Sequence, residues 1–121
     1  MRQRNPYIQS VNLCNESVFV GELTTVGRRT GLPRTVELRM VYLGGKFYAA
    51  SSNVRGKHWC QNMLNNPAVE VTAGGGRFSC RARQIADDQL RVRVLNLRDS
   101  RPLLERVVFE LTPRRAVVAG R

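Results

Sequence analysis

Two glycine-only connections, Gly44-Gly45 and Gly74-Gly75-Gly76, each sit between runs rich in β-branched and aromatic residues. Glycine takes positive φ without a Cβ penalty, so a short glycine turn joins antiparallel strands with the twist they need. The first connection predicts a hairpin of Thr35 to Leu43 with Lys46 to Ser52. The second predicts one of Val69 to Ala73 with Arg77 to Ile85. Within Thr35 to Leu43, Val36, Leu38, Met40 and Tyr42 fall on one face and Glu37, Arg39 and Val41 on the other. That period of two predicts a strand with one buried face. In the second hairpin Phe78, Cys80 and Ala82 alternate with Arg77, Ser79, Arg81 and Arg83, which predicts a basic outer face.

The remaining elements agree with a mainly β chain. Val18 to Thr25 reads as a strand ended by Gly27, and Val107 to Leu111 with Ala116 to Ala119 read as the runs that close the sheet. From Gly56 the period becomes helical, with Trp59, Met63 and Leu64 as the apolar set and Asn65-Asn66-Pro67 as the stop. Asp87-Asp88 caps a second helix through about Leu97, with Leu90, Val94 and Leu97 at helical spacing. Six or so antiparallel strands and two short helices fit either a split β-barrel or an OB-like barrel. A chain of 121 residues, 42% apolar, suits a single domain over its whole length.

Composition excludes several classes. The opening MRQRNPYIQSVN carries charge and no apolar run, so neither a secretory signal nor a membrane anchor is expected there. Glu105, Arg106, Glu110, Arg114 and Arg115 interrupt the apolar C-terminal third, so no membrane span is expected and a soluble, cytoplasmic protein is. Three cysteines and one histidine, with no C-x-x-C pair, argue against a disulfide framework or a metal site. Cys60 and His58 are two apart on a helix and point to different faces, which favours free structural thiols over a nucleophile and its base.

The net charge is +11, and 18 of the 20 basic residues are arginine. Part of that excess is what a GC-rich genome writes; the rest predicts anionic partners, because the planar guanidinium binds phosphate or carboxylate in a bidentate way. The stretch from Thr24 to Arg34, TTVGRRTGLPR, concentrates three arginines in one turn between strands. Its glycines let backbone N–H groups approach an anion, Thr30 adds a hydroxyl, and Pro33 sets the direction in which Arg34 leaves. A phosphate or carboxylate site and a solvated basic loop both satisfy the chemistry of these residues.

Thr24 to Arg34, then Ala49-Ala50-Ser51-Ser52, then Lys57-His58-Trp59 with Asn62, then Asn66-Pro67 leading into Val69-Glu70-Val71, together resemble the deazaflavin-dependent nitroreductase family. The resemblance covers roughly residues 22 to 85. It implies a split β-barrel related to the flavin-mononucleotide-binding barrels, frequently a homodimer. It also implies coenzyme F420, an 8-hydroxy-5-deazaflavin hydride carrier with a phospholactyl and oligoglutamate tail. Carried onto this chain, Arg28, Arg29 and Arg34 would grip the phosphate and tail, with Thr30, Gly31 and Pro33 shaping the turn. Ala50, Ser51 and Ser52 would line the ring and Lys57 would add charge. Trp59 and Asn62 match the pattern too, although Trp59 beside Met63 also reads as core.

The chain departs from the family at Asn53-Val54-Arg55-Gly56, where glycines are usual, and at Cys60, where an aromatic is usual. Its tyrosines stand only at 7, 42 and 48, so nitroreduction is not carried over and the small-molecule substrate stays open. In such a site the cofactor does the redox chemistry and the protein orients it, with Tyr42, Tyr48 or water as candidate proton donors. Three other readings stand beside this one: an FMN-binding flavoprotein on the same barrel, a nucleic-acid-binding barrel using Arg77, Arg81 and Arg83, and a cofactor carrier without turnover.

Overall fold

Valine, threonine, phenylalanine and tyrosine recur in most of the strand runs, and their branched or planar side chains fit a pleated, half-buried surface. In a computed structural model that describes residues 10–11, 13–52, 57–98, 106–115 and 118–119, they build a mainly β fold. The elements in order are β1 (Ser10–Val11), β2 (Ser17–Val26), β3 (Pro33–Leu43), β4 (Lys46–Ser51), α1 (His58–Asn65), β5 (Ala68–Ala73), β6 (Gly76–Gln84), α2 (Asp88–Leu97), β7 (Val107–Pro113) and β8 (Val118–Ala119). Six strands close an antiparallel barrel in the order β2-β3-β4-β7-β6-β5.

Both glycine hairpins form. Gly44 and Gly45 have φ of 59° and 80°, and Gly74 and Gly75 have 56° and 83°, values that a side chain would strain. The long hairpin is β2 with β3, paired from Ser17–Tyr42 to Val26–Pro33, and the arginine turn is its connection. The β3–β4 ladder, in contrast, runs only over Val41–Tyr48, Tyr42–Phe47 and Leu43–Lys46. Beyond Val41 the two strands diverge, so among the described residues the Pro33–Met40 part of β3 pairs with β2 alone. That divergence splits the barrel wall, and α1 follows β4 on this side.

Two apolar clusters hold the fold. Inside the barrel, Phe47 is the hub, with ring centroids 5.8 Å from Phe19, 5.5 Å from Tyr42 and 5.4 Å from Phe78. Leu23, Met40, Val71, Cys80, Phe109 and Leu111 fill the same space, and Trp59, Cys60 and Met63 of α1 close it. Outside the barrel, Val41, Leu43, Tyr48, Ala50 and Val108 pack under Val94 and Leu95 of α2. Each fully buried large side chain contributes about 1.5–3 kcal/mol of transfer free energy. Asp87 caps α2 as its spacing predicts, its carboxylate accepting the backbone N–H of Gln89 and Leu90.

Three expectations are corrected. Val41 is buried, because α2 covers the outer face of β3 and β4 there; the one-sided reading holds only for the lower half of β3. Leu64 is 52% exposed rather than part of the apolar face of α1, since the barrel contact of that short helix is made by Trp59, Cys60 and Met63. Val118–Ala119 does not join the barrel; it pairs in parallel with Ser10–Val11, a strand the sequence reading did not include. The Asn53 to Gly56 departure from the family pattern lies outside the described residues, as does Ala116. Among the described residues no helix is long and apolar enough to cross a membrane.

Candidate functional site

The β2–β3 hairpin ends in a turn closed on itself by two backbone bonds, Gly27 N–H to Leu32 O and Gly31 N–H to Gly27 O, both 2.8 Å. A Cβ at Gly27 would stand 2.9 Å from Thr30 Oγ1 and 3.0 Å from Leu32 O, so glycine is required there by close approach. Gly31 has a φ of 73°. The turn therefore coils tightly, leaves Arg29 and Arg34 exposed and directs the half-buried Arg28 toward α1.

What fixes the turn against the barrel is Asn62. This side chain, 3% exposed on α1, accepts the backbone N–H of Arg28 at 3.2 Å and the Arg28 Nη1 at 3.1 Å on its Oδ1. Its Nδ2 donates at 3.1 Å to Thr25 Oγ1, itself 1% exposed. A buried amide satisfied at both ends in this way is a geometric lock, because leaving either end unpaired would cost about 1–3 kcal/mol. His58, one turn before Asn62 on α1, places Nδ1 3.5 Å from both Arg28 Nη1 and Nη2. Guanidinium only donates, so Nδ1 is the accepting nitrogen in that contact.

Between turn, β3 and α1 lies a cavity of about 560 Å³. Its lining includes Arg28, Arg29, Thr30, Pro33, Arg34, Trp59 and Asn62, which brings seven of the twelve residues singled out in the sequence to one place. Thr25, Gly27, Thr35, Val36 and His58 complete it; Thr25, Gly27 and His58 stand in the stretches that carry the resemblance, whereas Thr35 and Val36 were read only as strand residues. Val36 carried a usable signal, since it belongs to the inward-facing set of β3. His58 carried only its position beside Lys57.

The other named residues stand elsewhere. Gly31 borders a smaller cavity of about 290 Å³ on the other side of the turn, with Glu70, Ser79 and Arg114. Ala50 faces the outer cluster under α2, Ser51 is buried, and Ser52 and Lys57 are exposed and do not border the larger cavity. The proton-donor candidates are displaced as well. Tyr42 packs inside the barrel against Phe47, near the end of β3 opposite the turn. Tyr48 points outward and donates to Glu110 Oε2 at 3.1 Å, and its phenol is pushed up to about 12 by burial and by that carboxylate.

Among the described residues no carboxylate borders the larger cavity, and none pairs with Arg28, Arg29 or Arg34. The basic outer face of β6 is different: Arg77 pairs with Glu70 at 3.2 Å and Arg83 with Glu110 at 3.0 Å. Two of the three arginines that a nucleic-acid interface would use are thus already matched. Cys60 and Cys80 are inert in this setting. Burial pushes the Cys60 thiol up, and burial together with the Glu70 charge pushes Cys80 up to about 12. His58 is exposed while Cys60 is buried, so the two diverge as their spacing predicts.

The sequence profile described as F420H(2)-dependent quinone reductase matches residues 10–102. The chain belongs to the F420H(2)-dependent quinone reductase family. Membership makes it an oxidoreductase that depends on a deazaflavin cofactor. No curated protein matches at a significant level. Among solved structures, general stress protein 26 of Bacillus anthracis superposes with a TM-score of 0.63 at 22% identity, covering 78% of each chain. A FAD-binding protein of Mesorhizobium loti gives 0.61 at 20% identity, over 79% of this chain and 81% of its own. A structure described as an F420 reductase gives 0.57 at 18% identity, over 83% of this chain and 90% of its own. At such identities the likeness is one of fold, and it is the split barrel that these proteins share with this quinone reductase relative.

Proposed function

We propose that this protein binds F420 with the phosphate and acidic tail of the cofactor against Arg28, Arg29 and Arg34, and transfers a hydride between the cofactor and a small organic acceptor. The observation that carries the reading is the concentration, on one cavity of about 560 Å³, of three arginines that no carboxylate among the described residues pairs with. A cavity of that size suits a cofactor-sized ligand, and a polyanion would supply the charge that the cavity wall lacks. The residues present therefore fit the group.

When bound, the deazaflavin supplies the hydride chemistry at its ring carbon. The chain's own residues supply the rest. Asn62 and Thr25 would hold Arg28 in place before the ligand arrives, so that less ordering entropy is lost on binding. Trp59, edge-on to Phe109 at 6.2 Å, would present a rigid apolar wall that excludes water. Ser52, exposed at the end of β4, would line the ring, Gly31 would keep the turn coiled and Lys57 would add charge. With Tyr42 and Tyr48 directed elsewhere, His58 or water would carry the proton that accompanies hydride transfer. A single domain, a homodimer and a cytoplasmic setting complete the reading.

Arg29→Ala with Arg34→Ala tests it. Charge-assisted contacts are worth about 1.5–3 kcal/mol each, so the double variant should bind F420 at least about a hundredfold more weakly in a fluorescence titration. Equal affinity would remove these residues from the site. The same titration with FMN and with a random oligonucleotide separates the flavoprotein and nucleic-acid readings, and sedimentation gives the oligomeric state.

A further inference from the structure

The barrel wall parts in a second place, on the other flank of the arginine turn. The β2–β5 ladder runs over Glu22–Thr72, Leu23–Val71 and Thr24–Glu70 and then stops. Neither strand ends there: β2 stays paired with β3 as far as Val26–Pro33, and β5 with β6 as far as Ala68–Arg81. Where α1 hands over to β5, Asn66 Oδ1 accepts the Ala68 N–H at 3.0 Å, so that donor is satisfied locally. The smaller cavity, about 290 Å³, occupies this opening. Val26 and Ala68 of the parted strands border it, and so do Val69 and Cys80 of the interior cluster, so it reaches from the outer face to the core.

Four of its polar lining residues fall in one row across the sheet. Thr24 stands opposite Glu70 and Glu70 opposite Ser79, and the Arg114 N–H donates to Ser79 O at 2.9 Å, one step beyond the Cys80–Pro113 pair. Residues in register share a face, and Ser79 and Arg114 are exposed. With neighbouring strands about 4.8 Å apart, the Glu70 and Arg114 backbones are about 10 Å from each other and Ser79 lies between them. Arg77 holds Glu70 Oε1 at 3.2 Å, and a carboxylate accepts several hydrogen bonds, so Glu70 is steadied yet able to take a further donor. The larger cavity, with three arginines, calls for a polyanion. Here a carboxylate and a guanidinium border the same space, so a polyanion would meet repulsion at Glu70, whereas a ligand carrying both signs is matched at both ends.

We infer that this cavity is a second ligand site, which takes a small zwitterion of the amino-acid class. Its ammonium donates to Glu70, its carboxylate lies on the Arg114 fork beside the Ser79 hydroxyl, and an apolar side chain enters the parted wall past Val26 and Val69 toward Cys80. The register of three strands sets the separation of the two charges, and the early stop of the β2–β5 ladder gives the apolar group its depth. Glu70, Ser79 and Arg114 do not border the cavity that holds Arg28, Arg29 and Arg34, so the site stands independently of the cofactor reading.

Backbone amide resonances of the intact protein, followed by NMR during titration with L-leucine, test the site. Parallel titrations use isocaproate and isoamylamine, which keep the apolar group of leucine and lack one charge each. Saturable shifts at Glu70, Ser79 and Arg114 are expected with leucine, and each half-ligand should bind at least about tenfold more weakly, the loss of one charge-assisted contact. Arg114→Gln, a change on an exposed side chain, and Glu70→Gln, which keeps the shape of the residue, should each weaken leucine binding by a similar factor. Arg29→Ala with Arg34→Ala should leave it unchanged. Shifts that stay linear, a half-ligand that binds as well as leucine, or leucine binding that Arg114→Gln does not alter would overturn the site.

Discussion

At the scale of single residues, Asn62 does more than its place in a helical pattern suggests. Its side chain joins α1 to the arginine turn through three hydrogen bonds, all made to Thr25 or Arg28. Asn62→Ala takes the partner from the buried Thr25 hydroxyl and the shared acceptor from two Arg28 donors, the backbone N–H and Nη1, so thermal unfolding should report a loss of about 1–3 kcal/mol. Asn62→Asp separates stability from function. The carboxylate would still accept from Arg28 but would also neutralise it, so inorganic pyrophosphate should bind less well while the melting temperature falls by less than in the alanine variant. Undiminished pyrophosphate binding in both variants would show that Asn62 serves the fold alone. Glu110 is the other residue whose environment decides its behaviour. Burial alone would raise its pKa, but hydrogen bonds from Arg83 and Tyr48 and the charge of Lys46 outweigh it and hold the carboxyl below its ordinary 4.5.

At the scale of elements, the capping of α2 and the short β3–β4 ladder matter most. Asp87 is an N-cap with two backbone donors to satisfy, and Asp87→Ala should cost about 1 kcal/mol. Because Val94 and Leu95 of that helix cover the outer cluster, the loss should appear as a lower urea midpoint for the whole transition rather than as local fraying. A midpoint equal to that of the parent would mean that α2 does not take part in the cooperative unit. The ladder between β3 and β4 stops after three residue pairs, and that early stop opens the wall beside which α1 and the turn make their cavity.

At the scale of the whole molecule, charge governs behaviour. With a net charge of +11 and an arginine-lined cavity, anion binding should weaken steeply with salt, the Debye length being about 10 Å at 0.1 M. Acid should destabilise the fold through Glu110. Its folded pKa lies below its unfolded one, so the stabilisation is complete above about pH 4.5 and is lost as pH falls through and below that value. Tyr48 acts at the other limb: its phenol stays neutral up to about 12 when folded, so stability declines as pH rises above the ordinary 10.0. Urea unfolding as a function of pH checks both, and Glu110→Gln should flatten the acid limb. Parallel acid limbs in the two proteins would remove Glu110 as the cause.

The hairpins, the capped second helix and the gathering of arginines in one turn were legible in the residues themselves. Each depends on local chemistry: positive φ at Gly44 and Gly45, a carboxylate two and three residues before free N–H groups, a short loop that must expose its charged side chains. What the tertiary structure alone decided was which distant residues share a space. Asn62 meets Arg28 across 34 positions, Val41 is buried by a helix some fifty residues later, and Arg98 donates to the carbonyl of Ala50 across 48 positions. Local pattern is set by neighbours one to four residues apart, whereas a cavity is set by how strands register and where they part. Only the closed barrel, with its β3–β4 ladder cut short, contains that information.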